Sequence, residues 1–276
     1  MGQKTNPIIL RLGINKTWNS EYIENKNSEL SVYTFKSLEI KSYIEKFLKN
    51  KGLLLHSFKI NYSNSSLHIK ISYFIPTTFK FKNKNNDILD FKNIEELNSK
   101  LEINKFNKGL KIFVGGKNRV ISVFQCINKK FYELDTNQLT FFKTRLTLLR
   151  RFRNRKNIYF DESFDIISSS IINKNSAFML GKFISDKLKK IKKHNSFLSA
   201  LTKILKLLIT ANFSTIKGIK IKISGKLNRG RRSKTRVITI GTVPTQTFNL
   251  PLDYSQTTVT HNPNGSLGIK IWILGK

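Results

Sequence analysis

The chain has 276 residues, enough for two domains or for one domain with a large insertion. Hydrophobic residues make up 39% and aromatics 11%, so a packed core is expected, while 50 Lys+Arg against 17 Asp+Glu leave a formal net charge of +33. A compact domain so charged repels itself and needs a polyanion. No apolar run approaches the roughly 18 residues of a membrane span, so nucleic acid is the expected partner and a membrane is not.

In chain order, residues 1–20 hold Pro7, Gly13 and apolar residues without helical spacing, which predicts an extended arm carrying Lys4, Arg11 and Lys16. The spacing of Ile40, Tyr43, Ile44, Phe47 and Leu48 predicts an amphipathic helix over 37–50, with Ser37 as its cap and Gly52 ending it in a left-handed turn. Strands are expected at 58–62 and 67–74, joined by the turn Ser63-Asn64-Ser65-Ser66. Residues 77–135 are rich in Lys and Asn and read as an insertion of surface structure, with a hairpin over 110–124 about Gly115-Gly116-Lys117-Asn118. A helix over 137–151 ends in a run of Arg145, Arg150, Arg151, Arg153 and Arg155, which almost no acid balances and which suits phosphate; a short strand is expected at 158–160. Residues 176–208 read as two helices parted at His194-Asn195-Ser196, with Asn195 or Ser196 capping the second. The apolar stripes are Ile184, Leu188 and Ile191, then Leu198, Leu201, Leu205 and Leu208.

From 217 onward, apolar residues alternate with cations in GIKIKIS and again in GIKIWIL, the period of half-buried strands. Between them lies a basic loop bearing Lys226, Arg229, Arg231, Arg232, Lys234 and Arg236, a cluster suited to phosphate. Helices on one face of a mostly antiparallel sheet give an α+β class.

One cysteine, Cys126, permits no disulfide within the chain, and the four histidines have no Cys or carboxylate at ligand spacing, so neither metal nor cofactor is expected. Lys, Asn, Ile and Phe are abundant, whereas Ala stands only at Ala177, Ala200 and Ala211. That bias implies an AT-rich genome such as an organelle's. Met1-Gly2-Gln3-Lys4 opens neither a secretory signal nor a transit peptide, and Asn6 breaks the myristoylation pattern. A protein made inside the organelle needs no address.

Two stretches at opposite ends carry a family resemblance. MGQKTNPIILRLGINKTWNS resembles the opening of bacterial and organellar small-subunit ribosomal protein three, which begins Met-Gly-Gln-Lys-x-x-Pro and continues Arg-Leu-Gly-Ile, then Trp-Asn-Ser. GIKIKISGKL, VPTQTFNLPLDY and GSLGIKIWI resemble its C-terminal motifs. The resemblance implies an α+β protein with two parts. The first is a type II K-homology domain, degenerate here, interrupted by the large insertion and spread over 21–76 and 136–175. The second is a C-terminal ribosomal domain over 176–276. After Phe74 the family's Gly-x-x-Gly loop should follow, but the chain reads Ile75-Pro76-Thr77-Thr78-Phe79-Lys80, so no K-homology RNA contact is carried over.

The resemblance also implies a place in the head of the small subunit, contacts with rRNA, and cations lining the channel through which mRNA enters. Neighbours would be small-subunit proteins ten and fourteen, with four and five sharing the unwinding of mRNA. The family's channel helix reads Arg-Arg-Ala-Met-Lys-Arg after an aromatic. Here Phe197 is followed by Leu198-Ser199-Ala200-Leu201-Thr202-Lys203, so only Lys203 keeps a charge, and Lys189, Lys190, Lys192 and Lys193 are the expected substitutes. Unwinding is therefore expected to be weakened or moved. Divergence and insertion point to a mitochondrial form, with a plastid-type organelle as the alternative.

Binding, not catalysis, is the expected activity. The rival from another class is an organelle-encoded intron maturase or homing nuclease, which needs paired carboxylates to hold metal; Asp161, Glu162 and Asp165 form the only tight acidic cluster. A free RNA-binding regulator is a third reading. Sedimentation with ribosomal subunits in moderate salt separates both from a ribosomal protein.

Overall fold

A computed structural model of the chain describes residues 5–26, 28–63, 65–76, 103–114, 119–127, 144, 160–173, 176–191, 194–209, 214–228, 230–261 and 265–275. The class is α+β, and the chain divides into two units, Trp18–Cys126 and Met1–Thr17 with Ile127–Lys276.

The first unit contains β1 (Ser20–Glu21), α1 (Glu29–Asn50), β2 (Leu54–Tyr62), β3 (Ser66–Phe74), α2 (Ile103–Val114) and β4 (Arg119–Cys126). Its sheet runs β1-β2-β3-β4 and is mixed: β2 and β3 are antiparallel, while β1 lies parallel to β2 and β4 parallel to β3. Ile40, Ile44 and Leu48, one turn apart on α1, are fully buried. Gly52 adopts φ +72°, and Leu53 N–H donates to the Leu48 carbonyl, closing the helix as expected. The helix begins earlier than predicted. Ser37 lies inside it and donates to the Thr34 carbonyl, so it is no cap.

The expected hairpin over 110–124 is not formed. Phe106, Leu110 and Phe113 recur at helical spacing, and Phe106 and Leu110 are fully buried on α2. Phe106 stacks on Tyr43 at 5.4 Å and meets Phe124 of β4 edge-on at 5.2 Å. A strand parallel to its neighbour needs a crossover rather than a tight turn, and α2 lies on it. Residues 103–126, placed in the expected surface insertion, therefore complete a core; the glycine pair of the predicted turn lies outside the described residues. Burial and, secondarily, neighbouring Tyr33 push the Tyr62 phenol up to about 12. Burial and then Cys126 do the same to Tyr73.

The second unit contains α3 (Phe160–Ile172), α4 (Ala177–Lys190), α5 (His194–Ile209), β5 (Ile216–Gly225), β6 (Lys234–Gly241), β7 (Leu252–His261) and β8 (Gly265–Gly275). The sheet order is β6-β5-β8-β7 and every pairing is antiparallel. The two Gly-Ile-Lys strands are thus direct neighbours, and the basic loop is the tip of a hairpin from β5 to β6. Lys234 and Arg236 stand on β6 itself. α4 lies on β7, and α5 lies on β5 and β6. Ile219, Ile221 and Ile223 with Ile269, Ile271 and Ile273 face the helices, which return Leu180, Ile184, Leu188, Leu198, Leu201 and Leu205, all buried. Gly181 permits the close seat of α4: a Cβ there would stand 2.7 Å from Ser255 Oγ.

α3 packs against α4 and α5, so this part of 136–175 belongs with the C-terminal unit and not with the first domain, as had been expected. Phe160 opens that helix instead of ending a strand. The predicted helix over 137–151 lies outside the described residues save for 144, and 158–159 lie outside them too.

Candidate nucleic-acid interface

The hairpin tip is shaped by its two ends. At Gly225, φ is +136° and a Cβ would meet Leu267 Cδ2 at 2.6 Å, so only glycine fits where the chain leaves β5. Asn228 then turns back with φ +53°, a conformation asparagine tolerates better than most residues. Its Oδ1 accepts the N–H groups of His194 at 2.7 Å and Asn195 at 3.2 Å. These are unsatisfied donors at the start of α5, so Asn228 caps that helix from 34 residues away. The predicted local caps, Asn195 and Ser196, do not serve. The reverse contact is Asn228 N–H donating to buried His194 Nδ1 at 3.3 Å. Arg236 Nη1 donates to Asn195 Oδ1 at 3.0 Å. The foot of the loop is thereby fixed to a helix, and Lys226, Arg231, Arg232 and Lys234 are exposed beyond it. Among the described residues none of these four meets an acid. Arg229 lies outside them.

The arm departs from expectation. It is not extended: Ile9–Arg11 forms a 3-10 turn. Arg11 is fully buried. Nη1 donates to the Pro7 carbonyl at 2.9 Å, and Nη2 to the carbonyls of Thr245 at 3.1 Å and Thr247 at 2.7 Å. The guanidinium lies 5.6 Å from the Phe248 ring centroid. Both Nη atoms donate inside the protein and Nε is buried without a partner, so Arg11 is a strut for the arm and not a phosphate ligand. Lys16 pairs with Asp253 at 3.0 Å, and the second oxygen of Asp253 accepts Ala177 N–H at 2.8 Å, capping α4. Lys4 lies outside the described residues.

Asn228 and Asp253 were both missed in the sequence. Each acts on a helix start far along the chain, and local spacing carries no trace of such a cap.

Of the expected channel cations, Lys189 and Lys190 are exposed in the last turn of α4, where a positive charge also favours the helix C-terminus. Lys203 is exposed on α5, while Phe197, Leu198 and Leu201 of the same stretch are buried. Lys192 and Lys193 lie outside the described residues, as do Arg145, Arg150, Arg151, Arg153 and Arg155. Asp161, Glu162 and Asp165 fall on α3. Among the described residues, no group of three His, Cys, Asp or Glu side chains is placed to hold a metal, and no helix is long and apolar enough to cross a membrane.

Residues 188–273, which span the end of α4, α5 and nearly all of the sheet, match the family model of ribosomal protein S3, C-terminal domain. Over 275 residues the chain is 28% identical to small ribosomal subunit protein uS3c of Euglena longa, covering 99% of each. It is 24% identical over 274 residues to uS3 of Pelagibacter ubique, covering 99% of this chain and 89% of that relative. To uS3c of Cyanidium caldarium it is 33% identical over 127 residues, 44% of this chain and 56% of the other. The class to which these likenesses point is a protein of the small ribosomal subunit. From one end to the other the chain is similar to small ribosomal subunit protein uS3, and over 188–273 to the C-terminal domain of that family.

Proposed function

We propose that the protein binds small-subunit rRNA through the hairpin tip of its C-terminal sheet. The observation that carries this reading is the latched loop. Lys226, Arg231, Arg232 and Lys234 are exposed on a foot held by Asn228 and Arg236. A cation cluster on a fixed foot loses less freedom when it meets phosphate, and counterion release supplies the affinity. Such contacts position a protein on RNA without reading its sequence. The run Arg145–Arg155 would add a second contact of the same kind.

The first unit supports a K-homology-like reading as far as order goes: helix, two strands, then helix and strand, in α1, β2, β3, α2 and β4. We infer that it serves as a scaffold, because the chain after Phe74 lacks the Gly-x-x-Gly loop. Lys189 and Lys190 at the end of α4 and Lys203 on α5 are the described cations assigned to mRNA where it enters, and proteins ten, fourteen, four and five are the expected neighbours. The compartment is an organelle's. The mitochondrial assignment rests on divergence and insertion, whereas relatives named uS3c, one aligned over the whole chain, support the plastid-type alternative. Imaging a tagged copy against markers of both organelles decides between them.

The test of the rRNA reading is charge reversal of the loop. Arg231→Glu with Arg232→Glu should leave the fold intact, since both side chains are exposed, and should lower the yield of assembled small subunits. A normal yield would make the loop a merely solvated tip.

A further inference from the structure

The helices cover one face of the C-terminal sheet, and the side chains pointing the other way have no role so far. On β5 and β8 these include Lys220, Lys222, Lys270 and Trp272. Register places Lys222 directly opposite Lys270, and Lys220 directly opposite Trp272. Lys220 Nζ lies 5.6 Å from the Trp272 ring centroid. Like charges directly opposite on a sheet repel, so the free fold gains nothing from Lys222 beside Lys270. The only acid on these four strands is Asp253, and it is engaged with Lys16 and the start of α4. The rest of the outer face carries the hydroxyls of Ser224, Thr235, Thr239 and Thr258, with Val237, 49% exposed, directly opposite Lys222 and the exposed Gln256 directly opposite Lys270. One end of the face is closed where Ile8 of the arm and Trp272 pack against Leu252, Tyr254 and Leu274. The other end runs through Ser224 and Thr235 straight into the basic hairpin tip.

We propose that this outer face is a second RNA-binding surface, which takes the sugar–phosphate backbone of rRNA continuing from the hairpin tip. Ammonium and hydroxyl donors with no unengaged acid among them suit phosphate and ribose oxygens, and the exposed Gln256 carboxamide adds a further donor. An acidic protein segment would also meet the lysines, but it would leave the row of hydroxyl donors less well used than a phosphate chain does. This inference rests on the rRNA-binding reading and extends it from a loop to a surface.

The test uses the full chain and a transcript of the head region of the small-subunit rRNA. Three proteins are compared: the natural chain, Lys222→Gln with Lys270→Gln, and Arg231→Gln with Arg232→Gln. Because the first pair removes a repulsion between an exposed and a half-buried lysine, its thermal midpoint should be equal or higher, which establishes folding. Each backbone contact contributes about 0.7 to 0.9 to the slope of log affinity against log salt. The sheet variant should therefore lose roughly 1.5 of that slope. In purified subunits, Lys222 and Lys270 should resist an amine-acylating reagent until nuclease removes the RNA. An unchanged slope for the sheet variant, with a reduced one for the loop variant, would overturn this surface alone. Unchanged slopes for both would overturn the rRNA-binding reading as well. Protection that survives nuclease would assign the face to a protein neighbour and overturn the proposal.

Discussion

The two sheets share a plan and differ in what they expose. Each has four strands, helices on one face and an open face on the other, and each sets two lysines directly opposite one another: Lys59 with Lys70 in the first, Lys222 with Lys270 in the second. Around the first pair stand Ile121 and Val123, 45% and 51% exposed. Around the second stand Val237, 49% exposed, the carboxamide of Gln256 and a row of hydroxyl side chains, and the hairpin tip with its arginines adjoins them. Cations that run through a row of hydroxyls into a basic tip suit a phosphate chain, whereas cations flanked by two exposed aliphatic side chains suit a surface with apolar parts of its own. The same backbone plan thus presents two chemistries, set by which residues fill the outward positions.

Charge reversal should separate the two sheets most sharply. Arg231→Glu with Arg232→Glu should reduce assembled subunits severalfold, while Lys59→Glu with Lys70→Glu should reduce them less; gradient profiles of subunits from the two strains make the comparison. Equal losses would break it.

The arm gives the next largest effect. Arg11→Ala removes three hydrogen bonds from a buried charged group, a loss of about 3 kcal/mol. It should lower the unfolding midpoint of the C-terminal unit and leave that of the first unit unchanged. Arg11→Lys should recover only part, because an ammonium lacks the planar fork that reaches Pro7, Thr245 and Thr247 together. Asn228→Ala should cost about 1 kcal/mol, as helix caps do. Its mark would be faster hydrogen exchange at the amides of His194 and Asn195, with exchange in α1 unaltered.

Alkali should act in the opposite sense, on the first unit. Tyr62 and Tyr73 are raised from the ordinary 10 to about 12 by burial, with Tyr33 and Cys126 respectively as lesser causes. A raised pKa means that the folded state holds the proton more tightly. The stability is therefore whole below pH 10 and lost as pH climbs toward 12. Tyr254 in the second unit is raised as well, by burial, so both units should weaken, the first more. Thermal unfolding at pH 9 and pH 11 would read the difference.

Much of this was legible in the chain. The stripe of Ile40, Ile44 and Leu48, the left-handed Gly52, and the alternation of Leu67, Ile69 and Ile71 each declare themselves over a few residues, and each stands as read. β5 and β8 were equally plain, because Ile alternates with Lys or Trp along them, whereas β6 and β7 carry no such alternation and were not read. Three things were not legible. α2 and β4 were taken for a hairpin because Gly115-Gly116 outweighed the helical spacing of Phe106, Leu110 and Phe113. Arg11 was taken for a phosphate ligand because a cation in a polar segment looks solvated until the loop 245–248 folds over it. Asn228 and Asp253 act across 34 and 76 residues, beyond any local pattern.

The most direct measurement is photo-crosslinking in small subunits purified at moderate salt from the organelle that makes the protein. The chain should co-sediment with the subunit, and peptides covering 226–236 should carry crosslinked small-subunit rRNA. A chain that sediments free of subunits, or a hairpin tip crosslinked only to protein, would contradict the account.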